Sequence, residues 1–105
     1  MIFIGIDPGL KGGLARIDTL DGCDWSQRML IKDGHIDSAA MQQELSLQKP
    51  TLVAIEDVHA MPKQGVTSTF TFGCGYGRLL ACLEISGVPF IRVKPQQWMK
   101  LILGG

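Results

Sequence analysis

The sequence predicts an α/β fold built on a mixed sheet of five strands, the first three antiparallel and the last two parallel. Three observations carry that expectation. The chain opens on a dense apolar run, Ile2-Phe3-Ile4-Gly5-Ile6, that ends in Asp7 and a Pro8-Gly9 turn. A second such run, Leu52-Val53-Ala54-Ile55, ends in Glu56-Asp57. Two segments with apolar residues at helical spacing precede and follow the second run, so helical crossovers join parallel strands there.

Taken in order, Ile2 to Ile6 reads as a strand buried on both faces that delivers Asp7 to a sheet edge. The short Gly12-Gly13 link makes Leu14 to Asp18 its antiparallel hairpin partner. Asp21-Gly22 is a turn pair, and Cys23 to Ile31 is expected as a third, more exposed strand. Asp33-Gly34 breaks the chain. From an N-cap at Asp37 or Ser38, the residues Ala40, Met41 and Leu45 mark a crossover helix that stops at Lys49-Pro50. Thr51 to Ile55 is the fourth strand, central and parallel to the first.

After a loop from Asp57 to Gly65, Thr67, Ser68 or Thr69 is expected to cap a long helix with Phe72, Tyr76, Leu79 and Leu83 as its apolar stripe. Gly73 and Gly77 are read as positions of close helix packing. Ser86-Gly87 ends that helix, Val88 to Val93 is the fifth strand, and Pro95 opens another helix whose buried side is Trp98, Leu101 and Ile102.

At 105 residues, with 46% apolar and 19% charged residues, the chain is expected to form one domain spanning residues 1–105, and a disordered or fibrous class is excluded. No apolar run approaches the roughly 20 residues that cross a bilayer, and the N-terminus lacks the basic flank of a secretory signal. A cytoplasmic protein without a membrane partner is expected. Cys23, Cys74 and Cys82 are odd in number and not closely paired, so they are read as packing residues.

The net charge is zero, but it is unevenly placed. Residues 1–57 hold nine acids and five bases, whereas residues 58–105 hold Lys63, Arg78, Arg92, Lys94 and Lys100 against Glu84. A basic half facing an acidic edge suits a polyanion, and an uneven solvated surface has the same composition. The acids themselves are more specific. If the first and fourth strands are adjacent and parallel, Asp7 and Glu56 emerge at one edge, and two neighbouring carboxylates favour a hard divalent cation.

The motifs Ile4-Gly5-Ile6-Asp7-Pro8-Gly9 with Gly12-Gly13, Ala54-Ile55-Glu56-Asp57-Val58, Phe72-Gly73-Cys74-Gly75-Tyr76-Gly77-Arg78 and Val93-Lys94-Pro95-Gln96-Gln97-Trp98 follow one another across nearly the whole chain. In that order they resemble the RuvC-like Holliday junction resolvases of the ribonuclease H-like superfamily. The resemblance implies a ribonuclease H-like fold and a metal-dependent endodeoxyribonuclease that resolves four-way or otherwise branched DNA as a homodimer. It implies that Asp7 and Glu56 are catalytic ligands of Mg²⁺ or Mn²⁺. For Asp57, at the start of a loop, capping that loop or supporting the ligands is expected ahead of binding the metal directly. The resemblance also places His59 where the family has a residue that stacks into the junction, with Lys63, Arg92, Lys94 and Lys100 on DNA phosphates. A lone loop histidine is also commonly solvated, and any single lysine can serve solubility.

In the family a final helix carries a third acid, often a fourth, and this chain reaches Gly105 before such a helix could be completed. The alternative reading is therefore a branched-DNA-binding module of the same fold that does not cut, or an inactive fragment of it.

Overall fold

The computed structural model describes residues 1–22, 24–58 and 65–94. The strands are β1 (Ile2–Asp7), β2 (Gly13–Asp18), β3 (Trp25–Arg28), β4 (Ile31–Lys32), β5 (His35–Ile36), β6 (Leu52–Glu56) and β7 (Phe90–Val93). Helix α1 (Ser38–Gln48) lies before β6, and α2 (Val66–Ser86) lies between β6 and β7. The main sheet has the order β3-β2-β1-β6-β7. Its β1–β2 and β2–β3 pairs are antiparallel, and its β1–β6 and β6–β7 pairs are parallel. The expected mixed α/β sheet is therefore the one formed, with β1 at its centre.

Alternation along the strands sends Ile4 and Ile6 of β1, Leu14 of β2 and Val53 and Ile55 of β6 into one core, where each is almost completely buried. Met41 and Leu45 of α1, and Tyr76, Leu79 and Leu83 of α2, close that core from the helix side. Each aliphatic side chain so enclosed contributes about 1.5–3 kcal/mol relative to exposure. The two helices pack on one another, and the Cys82 thiol donates to the Ser38 carbonyl at 3.4 Å across their contact.

The helix ends follow local chemistry. The Asp37 carboxylate accepts from the Ala40 N–H at 3.0 Å and caps α1. Gly87, at φ +71°, ends α2 in the left-handed conformation that glycine adopts without strain.

Several sequence expectations are corrected. The third strand ends at Arg28, and Ile31 belongs to a separate β4–β5 hairpin. Asp33 and Gly34 form that hairpin's turn, both with positive φ, the geometry a tight two-residue turn requires. Helix α2 begins at Val66 behind Gly65, so Thr67, Ser68 and Thr69 fall inside its first turns and no side chain caps it. Strand β7 begins at Phe90 because Pro89 has no N–H for the ladder.

Gly73 and Gly77 face outward, and a Cβ at either would meet nothing within 4 Å. The tight glycine is Gly75, whose added Cβ would lie 3.1 Å from the Ile36 side chain. Cys74 is exposed rather than packed, whereas Cys82 is buried as expected. Cys23 and the helix expected from Pro95 lie outside the described residues.

Candidate functional site

The site is built by register. Ile6 pairs with Ile55 across the parallel β1–β6 ladder, so the next residue on each strand, Asp7 and Glu56, reaches the same edge of the sheet. Because Ile6 and Ile55 point into the helix-covered core, alternation turns both acids toward the opposite face. Their proximity has an electrostatic signature. Partial burial raises the Glu56 carboxyl above its ordinary range, and the charge of Asp7 raises it further.

A turn and a helix hold the ends of the two strands that carry these acids. Gly12 folds back on the end of β1 so closely that a Cβ there would lie 2.1 Å from the Asp7 carbonyl oxygen and 3.0 Å from its carboxyl carbon. Only glycine permits this return. On the other strand, the Tyr76 hydroxyl donates to the Glu56 carbonyl at 2.8 Å, tying the end of β6 to α2. Tyr76 is held in turn by Phe72, whose ring stacks at 6.2 Å between centroids and 15° between planes.

Asp57 links the end of β6 to β7. Its N–H donates to the Val93 carbonyl at 2.7 Å, and its carboxylate accepts from the Arg92 guanidinium at 2.9 Å. The same guanidinium lies 5.5 Å from the centre of the Tyr76 ring. Arg92, a candidate phosphate contact, is thus also a strut between β6, β7 and α2. Lys94 follows Val93, the register partner of Glu56, and is exposed at the same edge. His59, Lys63 and Lys100 lie outside the described residues.

Tyr76 and Gly12 were legible only as members of a stripe and of a turn. The available signal for Tyr76 was a hydroxyl on an otherwise apolar face, since a buried phenol needs a hydrogen-bond partner. Lys11 and Arg28 are two of the five bases in the acid-rich half of the chain. They line one cavity beside Gly12.

Chemically, Asp7 and Glu56 offer hard oxygen donors, and a divalent cation between them would offset the burial and the Asp7 charge that together raise the Glu56 carboxyl. The pair fits part of an octahedral shell completed by water and phosphate oxygens. Among the described residues, no group of three or more His, Cys, Asp or Glu side chains is gathered around a metal position. No described helix is long and apolar enough to cross a membrane.

No family model matches the chain, and no curated protein does. Solved structures do. RuvC of Thermus thermophilus in complex with a Holliday junction substrate aligns over 95% of this chain and 68% of that one, with 20% identity and a TM-score of 0.68. A second Thermus thermophilus RuvC structure aligns over 99% and 70%, with 21% identity and a TM-score of 0.69. The yeast mitochondrial Holliday junction resolvase Ydc2 aligns over 98% and 58%, with 14% identity and a TM-score of 0.50. The chain has the RuvC-like, ribonuclease H-like fold.

Proposed function

We propose that this protein is a metal-dependent endodeoxyribonuclease that resolves four-way or otherwise branched DNA. The observation that carries the reading is the placement of Asp7 and Glu56 at adjacent ends of parallel strands within this fold, with Glu56 raised by burial and by Asp7. Likeness to a RuvC structure that holds a Holliday junction supports the substrate class. A cytoplasmic location accords with this reading.

Asp7 and Glu56 would hold Mg²⁺ or Mn²⁺. When bound, such an ion supplies Lewis acidity at the phosphodiester and a more acidic water. The remaining work belongs to the chain. The Tyr76 hydrogen bond and the Asp57–Arg92 pair fix the end of β6, so Glu56 is positioned before DNA arrives. Lys94 and the outer side of Arg92 draw the phosphate backbone toward the acids, with His59, Lys63 and Lys100 extending that contact.

Paired nicks on a junction call for two sites about a twofold axis, and we assign the dimer contact to the outward face of α2. Val66, Phe70 and Ile85 are 88%, 73% and 72% exposed on that helix, and Gly73, Gly77 and Ala81 leave its middle flat. Small residues at helical spacing let two such helices approach closely.

A second reading is favoured by one observation: no third carboxylate joins Asp7 and Glu56 among the described residues. On that reading the fold binds branched DNA without cutting it. A labelled four-way junction incubated with the protein and Mg²⁺ or Mn²⁺ separates the two. Symmetrically paired nicks establish the nuclease, and a shifted but intact junction establishes the binding module.

A further inference from the structure

We propose that Arg28 and Lys11 form a phosphate subsite on the β2–β3 side of the acid pair, holding the backbone of the DNA strand next to the phosphate that is cut. The proposal rests on the nuclease reading above and adds to it a second anchoring side, across the acids from Arg92 and Lys94.

Register places Arg28 on the face that carries the acids. Asp7 pairs with Gly13 between β1 and β2, and Gly13 pairs with Arg28 between β2 and β3. Residues in register share a face of the sheet, so Arg28 projects to the side of Asp7 and Glu56, away from the helices. Burial along β3 agrees. Gln27, the partner of the core residue Leu14, is half-buried, whereas Arg28 is exposed. Two strand spacings of about 4.8 Å separate Arg28 from Asp7, so a nucleic-acid strand lying on the acids passes within reach of its guanidinium.

The strand between them carries no side chain at this level. A Cβ at Gly13 would strike the Gln27 carbonyl oxygen, and one at Gly12 would strike the Asp7 carbonyl oxygen. Both positions are therefore held to glycine, and bare backbone runs from the acid toward the arginine, where a phosphate chain can lie close. Lys11 adds the second cation. With Leu10, Gly12 and Arg28 it lines one cavity of about 370 Å³, at the turn that abuts Asp7.

The charge of these two residues is uncommitted. Arg16 is paired with Asp18, Arg78 donates to the Ile36 carbonyl, Arg92 is paired with Asp57, and Lys94 is also engaged. Lys11 and Arg28 have no ion pair or side-chain hydrogen bond among the described residues. A planar guanidinium and an ammonium held together without a carboxylate partner suit the paired oxygens of a backbone phosphate.

The test replaces single phosphates around the exchange point of a labelled four-way junction by neutral methylphosphonates, one at a time. Affinity is read with Ca²⁺ present to hold the strands intact. Wild type should weaken sharply at positions to one side of the exchange point, and Arg28→Ala and Lys11→Ala should each lose the sensitivity at the phosphate that residue holds. Each should also lower the slope of log affinity against log salt by about 0.9. A rise from about 50 to about 200 mM salt should then weaken wild type about threefold more than either variant. Arg28→Lys should restore the slope, and Lys32→Ala, which removes an exposed cation from the separate β4–β5 hairpin, should leave it unchanged.

Unchanged slopes in both alanine variants, the wild-type pattern of methylphosphonate sensitivity in both, or an equal fall in slope from Lys32→Ala overturns the proposal. Nicks in Mg²⁺ with unchanged slopes remove the subsite and keep the nuclease. Position-specific sensitivity without nicks keeps the phosphate contact and removes the nuclease, and failure to bind the junction removes both.

Discussion

The Tyr76 hydroxyl reaches 20 residues back along the chain to the Glu56 carbonyl, at 2.8 Å. A residue that sequence reasoning counts as core is therefore also the tether of the candidate metal site. Tyr76→Phe keeps the ring, and with it the Phe72 stack, but leaves the Glu56 carbonyl without its donor. The expected cost is about 1 kcal/mol of stability by urea unfolding. Cleavage should slow severalfold with little change in junction affinity, because the end of β6 loses its anchor while the phosphate contacts remain.

Gly12 and Gly77 should respond to alanine in opposite directions. At Gly12 the new Cβ would meet the Asp7 carbonyl oxygen, so the turn must open and the acid must move. Gly12→Ala should destabilise by about 1–3 kcal/mol, the usual range for overpacking, and abolish cleavage. At Gly77 a Cβ meets open space in a helix interior. Gly77→Ala should stabilise the folded chain by roughly 0.5–1 kcal/mol. Gly77→Leu should leave the chain folded and shift sedimentation toward the monomer, as the proposed α2 contact requires.

Glu56 sets the response to metal. Burial, and then the charge of Asp7, hold its carboxyl above the ordinary value, so the folded state retains the proton more readily than the unfolded chain does. Without divalent ions, stability should fall as pH rises from the unfolded carboxylate value of about 4.3 through the higher folded value. Glu56→Gln removes that penalty and should melt above wild type at pH 7 in EDTA. Wild type should gain stability as Mg²⁺ is added, and Glu56→Gln should not.

Asp18 carries the opposite sign. The Leu20 N–H donates to its carboxylate at 2.9 Å and is the leading cause holding it below the ordinary range. The Asp21 N–H and the Arg16 guanidinium, the latter at 3.3 Å, act in the same direction against burial. Its contribution is present above the unfolded value of about 3.9 and is lost as pH falls through the folded value. Asp18→Asn should lower the melting temperature at pH 7, and the gap from wild type should close in strong acid.

The fold was legible where burial writes itself into composition. Ile2 to Ile6 and Leu52 to Ile55 are continuous apolar runs because the strands they form are central, and Asp7 and Glu56 stood out because each closes such a run. The acidic pair followed from a single inference of parallel register. What escaped was information that lies in partners rather than in periodicity. Nothing in Cys23 to Ile31 tells where β2 stops offering a ladder, so one strand was expected where a strand and half of a hairpin formed. Glycine spacing in α2 showed that small residues mattered, but only the packing of Ile36 reveals that Gly75 is the crowded one. The tyrosine hydroxyl could be assigned only once α2 lay beside the end of β6.

The measurement that tests the central claim most directly is cleavage of a labelled four-way junction with Mg²⁺ by wild type beside Asp7→Asn and Glu56→Gln, with junction affinity measured for all three. The account predicts paired nicks from wild type and a loss of at least about a hundredfold in each variant, with affinity retained, as expected for groups that stabilise charge only during reaction. Undiminished cutting by either variant, or tight binding without nicks by wild type, would contradict it.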